Sequence, residues 1–525
     1  MDQRNMLLAF SLSLAILLGW GMLFPQPSSK PTVASTSEKV TEQKAEVTEK
    51  APELRPTDVD VGSVESIPNP SEDKSTHVFY LENELLHVGM DDRGWLTHAD
   101  LLQYTESIEP GAAYIHTLTT EKGPNRYVNS GVLGHKRVTP FVLDAEKSSA
   151  THKVFTATLD SGEIWQRSIS LKPNSYIVHL EDRIQQGAGF KMFRQVVERN
   201  PNKKLDTFYE HMGATGLLNN VLQKPSYDDL DKTSVKMAAT GGWTGMMDRY
   251  FITALIGHQD HDYRFYYKGD GRSYQSGVLD DGVLDDGDAL FTSDLYIGPK
   301  SIALMKSLDI GLERSVDFGF FAFISKPMHT FMMWMYDYLH NFGWSIIFLV
   351  LTIKIIFFYP TQKAYTSMAG MRKIQPEMAR LKDLYGEDRQ KMGQEMMKLY
   401  KKHKVNPMGG CLPILIQIPV FFALYKVLLM SIEMRQAPFM GWLQDLSVQD
   451  PYFILPVLMG ISMYVQQKLN PQPTDAMQAK IMQFLPPVFT VMFLFFPAGL
   501  VLYWVVNNTL AIFQQWLVMK KLKAL

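Results

Sequence analysis

The sequence predicts a multi-domain fold: a polytopic α-helical membrane core, with six transmembrane helices in total, plus a large all-β sandwich domain. Three observations predict it. The 525 residues exceed what one ordinary domain holds. Apolar residues make up 46% of the chain and charged residues 20%, but the two are segregated: long uncharged stretches begin near residue 340, whereas residues 26–320 carry charges throughout. Between His77 and about Leu312, short β-rich runs alternate with turn signals.

Residues 1–25 are expected to form an N-terminal transmembrane anchor. Met6 to Gln26 carries no charge and includes LLAFSLSLAILLGWGMLF, long enough at ~1.5 Å per residue to cross a ~30 Å hydrocarbon layer. The rival is a cleavable signal peptide, which usually has a shorter apolar region and an A-x-A-like site; no such site follows. Residues 26–75 are rich in Pro, Ser, Thr, Glu and Lys and almost lack aromatics, so they read as a disordered tether. Residues 76–325 read as the β-sandwich. In HKVFTATLDSGEIWQRSISL, Phe155, Ala157 and Leu159 precede the turn Asp160-Ser161-Gly162, and Trp165, Ile169 and Leu171 follow at even spacing, as in a hairpin. The Asp-Gly pairs of GVLDDGVLDDGDA suit tight turns better than calcium ligands.

Residues 326–342 (MHTFMMWMYDYLHNFG after Pro327) suit an amphipathic helix in the membrane interface. The next spans are 343–362, 405–432 and 451–468. The uncharged run 481–519 would reach about 59 Å as one helix, twice the apolar thickness. It therefore divides into spans 481–497 and 499–519 at Pro497-Ala498-Gly499. Between the spans lie a basic helical hairpin (363–404) and loops 433–450 and 469–480; a basic tail (520–525) follows. Lys363, Arg372, Lys373, Lys468, Lys480, Lys520, Lys521 and Lys523 all fall on the side of the N-terminus, so that side should be cytoplasmic and hold both termini. Loop 433–450 has only Arg435 as a basic residue, and it and the β-domain would be periplasmic in a Gram-negative inner membrane.

Several function classes are disfavoured. Cys411 is the only cysteine, which leaves no intramolecular disulfide and no cysteine metal cluster. A net charge of −2 argues against general nucleic-acid binding. His258-Gln259-Asp260-His261 lacks the Glu and the helix of a metalloprotease and reads as a surface loop. With no P-loop, G-x-S-x-G or Rossmann fingerprint, no catalytic constellation, cofactor or metal is expected.

Three features could carry function. Lys354 lies 11 residues after Gly343, ~16 Å along a helix and near mid-bilayer. A cation there costs at least ~2.5–3.5 kcal/mol, and no Asp or Glu lies inside any expected span. A hydrated, positively charged cavity is favoured; the alternative is a lysine that snorkels to the cytoplasmic surface. Second, Gln417 beside Pro413 and Pro419, together with Pro456, Gln466, Asn507 and Asn508, places polar groups and prolines inside the spans. These groups either line a cavity or bond between helices. Third, residues 368–404 hold ten basic residues (Arg372, Lys373, Arg380, Lys382, Arg389, Lys391, Lys398, Lys401, Lys402 and Lys404) against five acidic ones. Two helical patterns meet at Tyr385-Gly386 in a hairpin that could contact anionic lipid, ribosomal RNA or emerging apolar segments. The bland alternative is a solvated topology determinant.

The stretches YTSMAGMRKIQPEM, QEMMKLYKKHKVNPMGGCLPILIQIPVFFALYKVLL, RQAPFMGWLQDLSVQDPYFILPVLMGISMYVQQK and FFPAGLVLYWVVNNTLAIFQQWL closely resemble the YidC/Oxa insertases over about residues 325–520. The additional N-terminal span and β-domain are similar to the Gram-negative form, whose periplasmic domain is a β-supersandwich. The resemblance implies a five-helix core around a hydrophilic groove, open to cytoplasm and lipid but closed toward the periplasm. Aligned on Tyr365-Thr366-Ser367-Met368, the groove cation of the family, often Arg, falls at Lys354, which keeps the charge without the guanidinium fork; Pro360 is displaced by one position. The groove glutamine of the family matches Gln417, and an aromatic pair matches Tyr503 and Trp504, where some relatives have a second Tyr.

The expected function is insertion and folding of integral membrane proteins, alone or with the Sec translocon. Acidic groups of a nascent membrane protein would be drawn to Lys354, while its apolar segments slide along the third and fifth spans at Phe421, Phe422, Phe493 and Phe495. The ribosome and anionic lipids are expected partners of the hairpin and tail. The rivals are a secondary transporter or channel, for which no internal repeat is visible, and a carbohydrate-active β-domain, since similar sandwiches occur in sugar epimerases.

Overall fold

The computed structural model describes residues 77–523 except 121–124, 206–209, 387, 407–411 and 472–475. The expected anchor (1–25) and tether (26–75) lie outside the described residues.

The β-domain consists of two antiparallel sheets. The first begins with β1 (Val78–Glu82), β2 (Leu86–Asp91) and β3 (Leu96–Thr105) and continues through Asn125–Val132, Met192–Arg199, Ser273–Asp280, Asp262–Gly269 and Val235–Thr240, with β4 (Tyr114–Leu118) added on β3. The second runs Val221–Gln223, Gly213–Leu218, Trp243–Met247, Phe251–Ile256, Asp288–Pro299, Ile177–Ile184, Ile164–Leu171, His152–Thr158 and Val142–Asp144, with Val283–Asp285 paired to Asp288–Pro299. The predicted hairpin is there, with Ala157 opposite Trp165 and Gly162 at φ 101° in its turn. Strand Ile164–Leu171 buries every second residue, as a sheet with one packed face requires.

Period-2 alternation also turns a charge inward. Arg167 is 2% exposed and donates to Asp182 (2.7 Å), to the Gly94 carbonyl (2.5 Å) and to Ser130 (2.7 Å). Arg194 and Trp165 donate to the same Asp182. Asp182 and Arg167 belong to one sheet, Arg194 and Ser130 to the other, so this Arg–Asp–Arg group ties the two layers together in the core.

Nine α-helices longer than ten residues follow among the described residues: α1 (Ala322–Leu339), α2 (Phe342–Ile356), α3 (Phe358–Lys373), α4 (Gln375–Tyr385), α5 (Arg389–Lys402), α6 (Leu412–Met430), α7 (Ile454–Leu469), α8 (Ala476–Phe493) and α9 (Ala498–Lys521). Among the described residues no single helix is long and apolar enough to cross a membrane alone. The continuous span expected over 343–362 is instead the pair α2 and α3, bent by 69°, which together meet that requirement. Pro360 suits the bend: it lacks an N–H and its ring would clash with the Ile356 carbonyl four residues back, so it kinks or breaks a continuous helix there, and it lies in the first turn of α3. Near Pro497, α8 ends at Phe493 and α9 starts at Ala498.

α9 packs against α2, α3, α6 and α7. Loop 433–450 closes one end of this bundle: Gly499 N donates to Leu446 O (2.9 Å) and Ala498 N to Val448 O (2.7 Å). Fully buried Asp450 accepts from Trp442 Nε1 (3.0 Å) and the N–H groups of Tyr452 (3.0 Å) and Leu455 (2.7 Å), which fixes the start of α7. The neighbouring Arg435 and Gln436 side chains donate to Thr105 O at the end of β3, and Ser301 donates to Glu433, joining the loop to the β-domain.

Candidate functional site

The helical region buries a file of polar groups within a largely apolar interior and is apolar outside. Asn507, Asn508, Gln514 and Gln515 of α9 are buried, whereas Ile355, Ile356, Phe358, Val457, Ile461, Phe484, Val488, Val491 and Phe513 are exposed. A water-facing protein does not present such an array; a lipid-facing one does. Asn508 donates to Ser462 of α7 (3.0 Å), and Gln515 donates to Asn470 just beyond α7 (2.9 Å), so both act as bonds between helices.

Lys354 sits in the last turn of α2, half-buried, three residues before the bend at Phe357. Among the described residues it has no hydrogen-bond or ion-pair partner. Its position differs from the sequence expectation in one respect: it is near a helix end, not the middle of a continuous helix. The partial negative charge of helix C-terminal carbonyls favours a cation there, which lowers the cost of holding an ammonium within apolar surroundings.

A second group forms where α6, α8 and α9 meet. The Gln417 amide lies beside the buried Tyr503 hydroxyl. Trp504 is T-shaped to Phe421 (centroids 4.9 Å) and packs on Phe493 (5.2 Å). Phe422 stacks with Phe321, ahead of α1, at 6.2 Å. Phe421, Phe493 and Trp504 thus form one cluster, with Phe493 1% exposed. Phe495 does not join it: it projects outward, 76% exposed, in the turn between α8 and α9.

The basic hairpin forms as α4 against α5 around Ile374, Met378 and Leu399. Lys373, Arg380, Lys382, Lys391, Lys398, Lys401, Lys402 and Lys404 are exposed. Lys398 pairs with Glu395 (2.7 Å), and Lys391 lies over the Tyr385 ring (5.2 Å). Arg372 and Lys373 belong to α3, not to the hairpin helices, and Arg372 donates to Leu469 O (3.4 Å). The side chain of Arg389 lies outside the described residues.

Residues 80–331 match the family model of the YidC periplasmic domain, and residues 334–524 match that of the 60Kd inner membrane protein. A membrane protein insertase YidC of Magnetococcus marinus is 41% identical over 451 residues, 83% of this chain and 80% of the relative. One from Pseudomonas fluorescens is 50% identical over 309 residues, 58% and 55% of the two chains. A Legionella pneumophila YidC is 34% identical over 551 residues, covering 99% of this chain and 97% of its own. The chain belongs to the YidC family of membrane protein insertases.

As a YidC-family member it is an inner-membrane protein with a periplasmic domain, not an enzyme. Sequence reasoning missed the polar contacts of Gln514 and Gln515 in this YidC-family core. Gln514 donates to Phe358 O (3.3 Å), covering a carbonyl at the α2–α3 bend. The signal was available, because Gln514 and Gln515 follow Asn507 and Asn508 at seven-residue spacing and so share a helix face.

Proposed function

We propose that the chain inserts nascent membrane proteins through a hydrated, positively charged groove beside Lys354, alone or together with the Sec translocon. The observation that carries this is an unpaired ammonium in the last turn of α2, just ahead of the α2–α3 bend, where no carboxylate approaches among the described residues. A charge without a counter-ion stays ionised only where water reaches it. The acidic, hydrophilic end of a substrate is drawn to that charge and spared part of its desolvation cost. Its apolar segment meanwhile slides over the Phe421, Phe422 and Trp504 surface and leaves for lipid, where the hydrophobic effect favours it.

The same reading gives six spans with both termini cytoplasmic, the anchor over 1–25 included. The exposed apolar faces of α2, α7, α8 and α9 support lipid contact. At ~1.5 Å per residue α7 reaches only about 24 Å, short of a ~30 Å layer, so the bilayer thins beside it. The hairpin lysines and the tail meet anionic lipid headgroups and the ribosome, since they form an exposed basic surface on the side that the positive-inside rule makes cytoplasmic.

The test is an insertion assay with Lys354→Ala and Lys354→Arg. We expect the Ala variant to lose insertion of a substrate with an acidic tail by tenfold or more, with Arg retaining it and a substrate with an uncharged tail affected less. Equal insertion of the acidic substrate by the Ala variant and the parent would remove Lys354 from the mechanism.

A further inference from the structure

Three histidines and one aspartate converge on the outer face of the first sheet, where β2, β3 and β4 lie side by side. Leu86, Val88, Ala99 and Leu101 face the core, so period-2 alternation turns His87, His98 and Asp100 outward together. The strand register assembles them: His87 of β2 is opposite Asp100 of β3, Asp100 is opposite His116 of β4, and His98 lies two residues along β3, opposite Gly89. A register shift between Ala99 and Asp100 in the β3–β4 pairing marks a bulge, which re-aims side chains locally.

The donor atoms point at one carboxylate. His98 Nε2 is 2.8 Å and His87 Nδ1 3.4 Å from Asp100 Oδ2, while His116 Nδ1 is 2.5 Å from Oδ1. The ligand atoms of His87, His98 and Asp100 all lie within 4.8 Å of one another. The cluster is also walled. The Tyr80 ring stacks on His87 at 4.7 Å and 12°. Gly89 leaves the space this needs, since a Cβ there would come within 2.9 Å of the Tyr80 ring and 3.0 Å of His98 Cβ. The Asp100 side chain is 11% exposed beneath imidazoles that are 29%, 30% and 42% exposed, which leaves a path for a small ion.

We propose that His87 Nδ1, His98 Nε2 and Asp100 Oδ2 form a binding site for a late first-row divalent cation such as Zn²⁺. Two imidazoles and a carboxylate with no thiolate are a donor set for zinc or copper rather than for calcium or magnesium. Bonds of ~2.0–2.1 Å in a tetrahedron set ligand atoms about 3.3 Å apart. The His87–Asp100 spacing already has that length, and the His98–Asp100 spacing opens by about 0.5 Å on loading. His116 holds the second carboxylate oxygen and so orients the ligand from outside the coordination shell. The fourth position is left to water. Loading would clamp β2 to β3 at the sheet end whose chain runs on to Thr105 and its bonds to Arg435 and Gln436.

The full-length protein, purified in detergent and stripped with a chelator, is titrated with Zn²⁺ against a chromophoric competitor, with bound metal counted after dialysis. We expect one equivalent at micromolar or tighter affinity and a rise in the melting temperature on loading. We further expect loss of that equivalent in His87→Gln/His98→Gln, and a 10–100-fold weakening in His116→Gln. His258→Gln/His261→Gln should bind as the parent does. Absence of binding to the parent at 100 μM Zn²⁺ would overturn the site without any variant. Undiminished stoichiometry and affinity in a His87→Gln/His98→Gln protein that melts like the metal-free parent would also overturn it. Should that double variant fail to fold, His98→Gln alone, compared at equal metal, decides between the same two results.

Discussion

Arg167, Asp182 and Arg194 show how much a single residue can be asked to do in the β-domain. Asp182 answers two buried guanidinium groups and an indole N–H. Asp182→Ala would leave both arginines uncompensated in the core, and we expect it to destabilise the domain by about 3–5 kcal/mol, read from chemical denaturation. Alternation in the sequence placed Arg167 on the inward face, but its partners lie 15 and 37 residues away on other strands, and local periodicity cannot see them. The metal-type cluster was hidden for the same reason: His87, His98, Asp100 and His116 follow no local ligand spacing and meet only through strand register. At His179 the coupling is to pH. Its ring hydrogen-bonds Asp294 (2.7 Å), which raises the histidine above its usual value, and the same bond lowers the aspartate. The histidine contribution is complete below about pH 6.5 and fades as pH rises through the raised value; the aspartate contribution is complete above about pH 4 and fades as pH falls through the lowered one. The stability difference between the parent and His179→Gln should therefore be largest at roughly pH 4–6.5 and shrink on either side. A flat difference across that range would contradict the pairing.

Among elements, the bent pair α2–α3 is the largest departure from the sequence reading. Hydropathy across 343–362 is continuous, so the window read one span; the bend depends on backbone chemistry at Pro360, which a hydropathy window does not weigh. Helix contacts set by glycine are a second case of geometry that composition does not record. A Cβ at Gly460 of α7 would come within 2.0 Å of Thr490 Oγ1 on α8, and one at Gly343 within 2.0 Å of the Phe439 ring. Gly460→Leu should separate α7 from α8 and cost about 1–3 kcal/mol or more, measured as lost thermal stability and weaker crosslinking between the two helices. Apolar period and turn residues lie behind other elements, with shifted bounds: α4 and α5 pair beside Tyr385-Gly386 while 363–373 of the expected hairpin belong to α3, α1 runs Ala322–Leu339 where 326–342 was expected, and α8 and α9 lie on either side of Pro497.

Across the whole molecule, the β-sandwich and the helical bundle meet at loop 433–450 as well as at the segment that leads into α1. Residues 433–450 touch β3 through Arg435 and Gln436 and touch α9 through Leu446 and Val448. Removing the polar grip with Arg435→Ala/Gln436→Ala should raise hydrogen exchange in that loop and at the first turn of α9 while leaving the sheets protected. The groove that gives the bundle its proposed role rests on water reaching Lys354 from one side only. Cys411 is the only cysteine, so Cys411→Ser/Lys354→Cys carries a single reporter thiol, and its labelling by a membrane-impermeant maleimide from each face is the most direct measurement. We expect modification from the cytoplasmic face and none from the periplasmic face; a thiol that is unreactive from both faces, or reactive from both, would contradict a half-open hydrated groove.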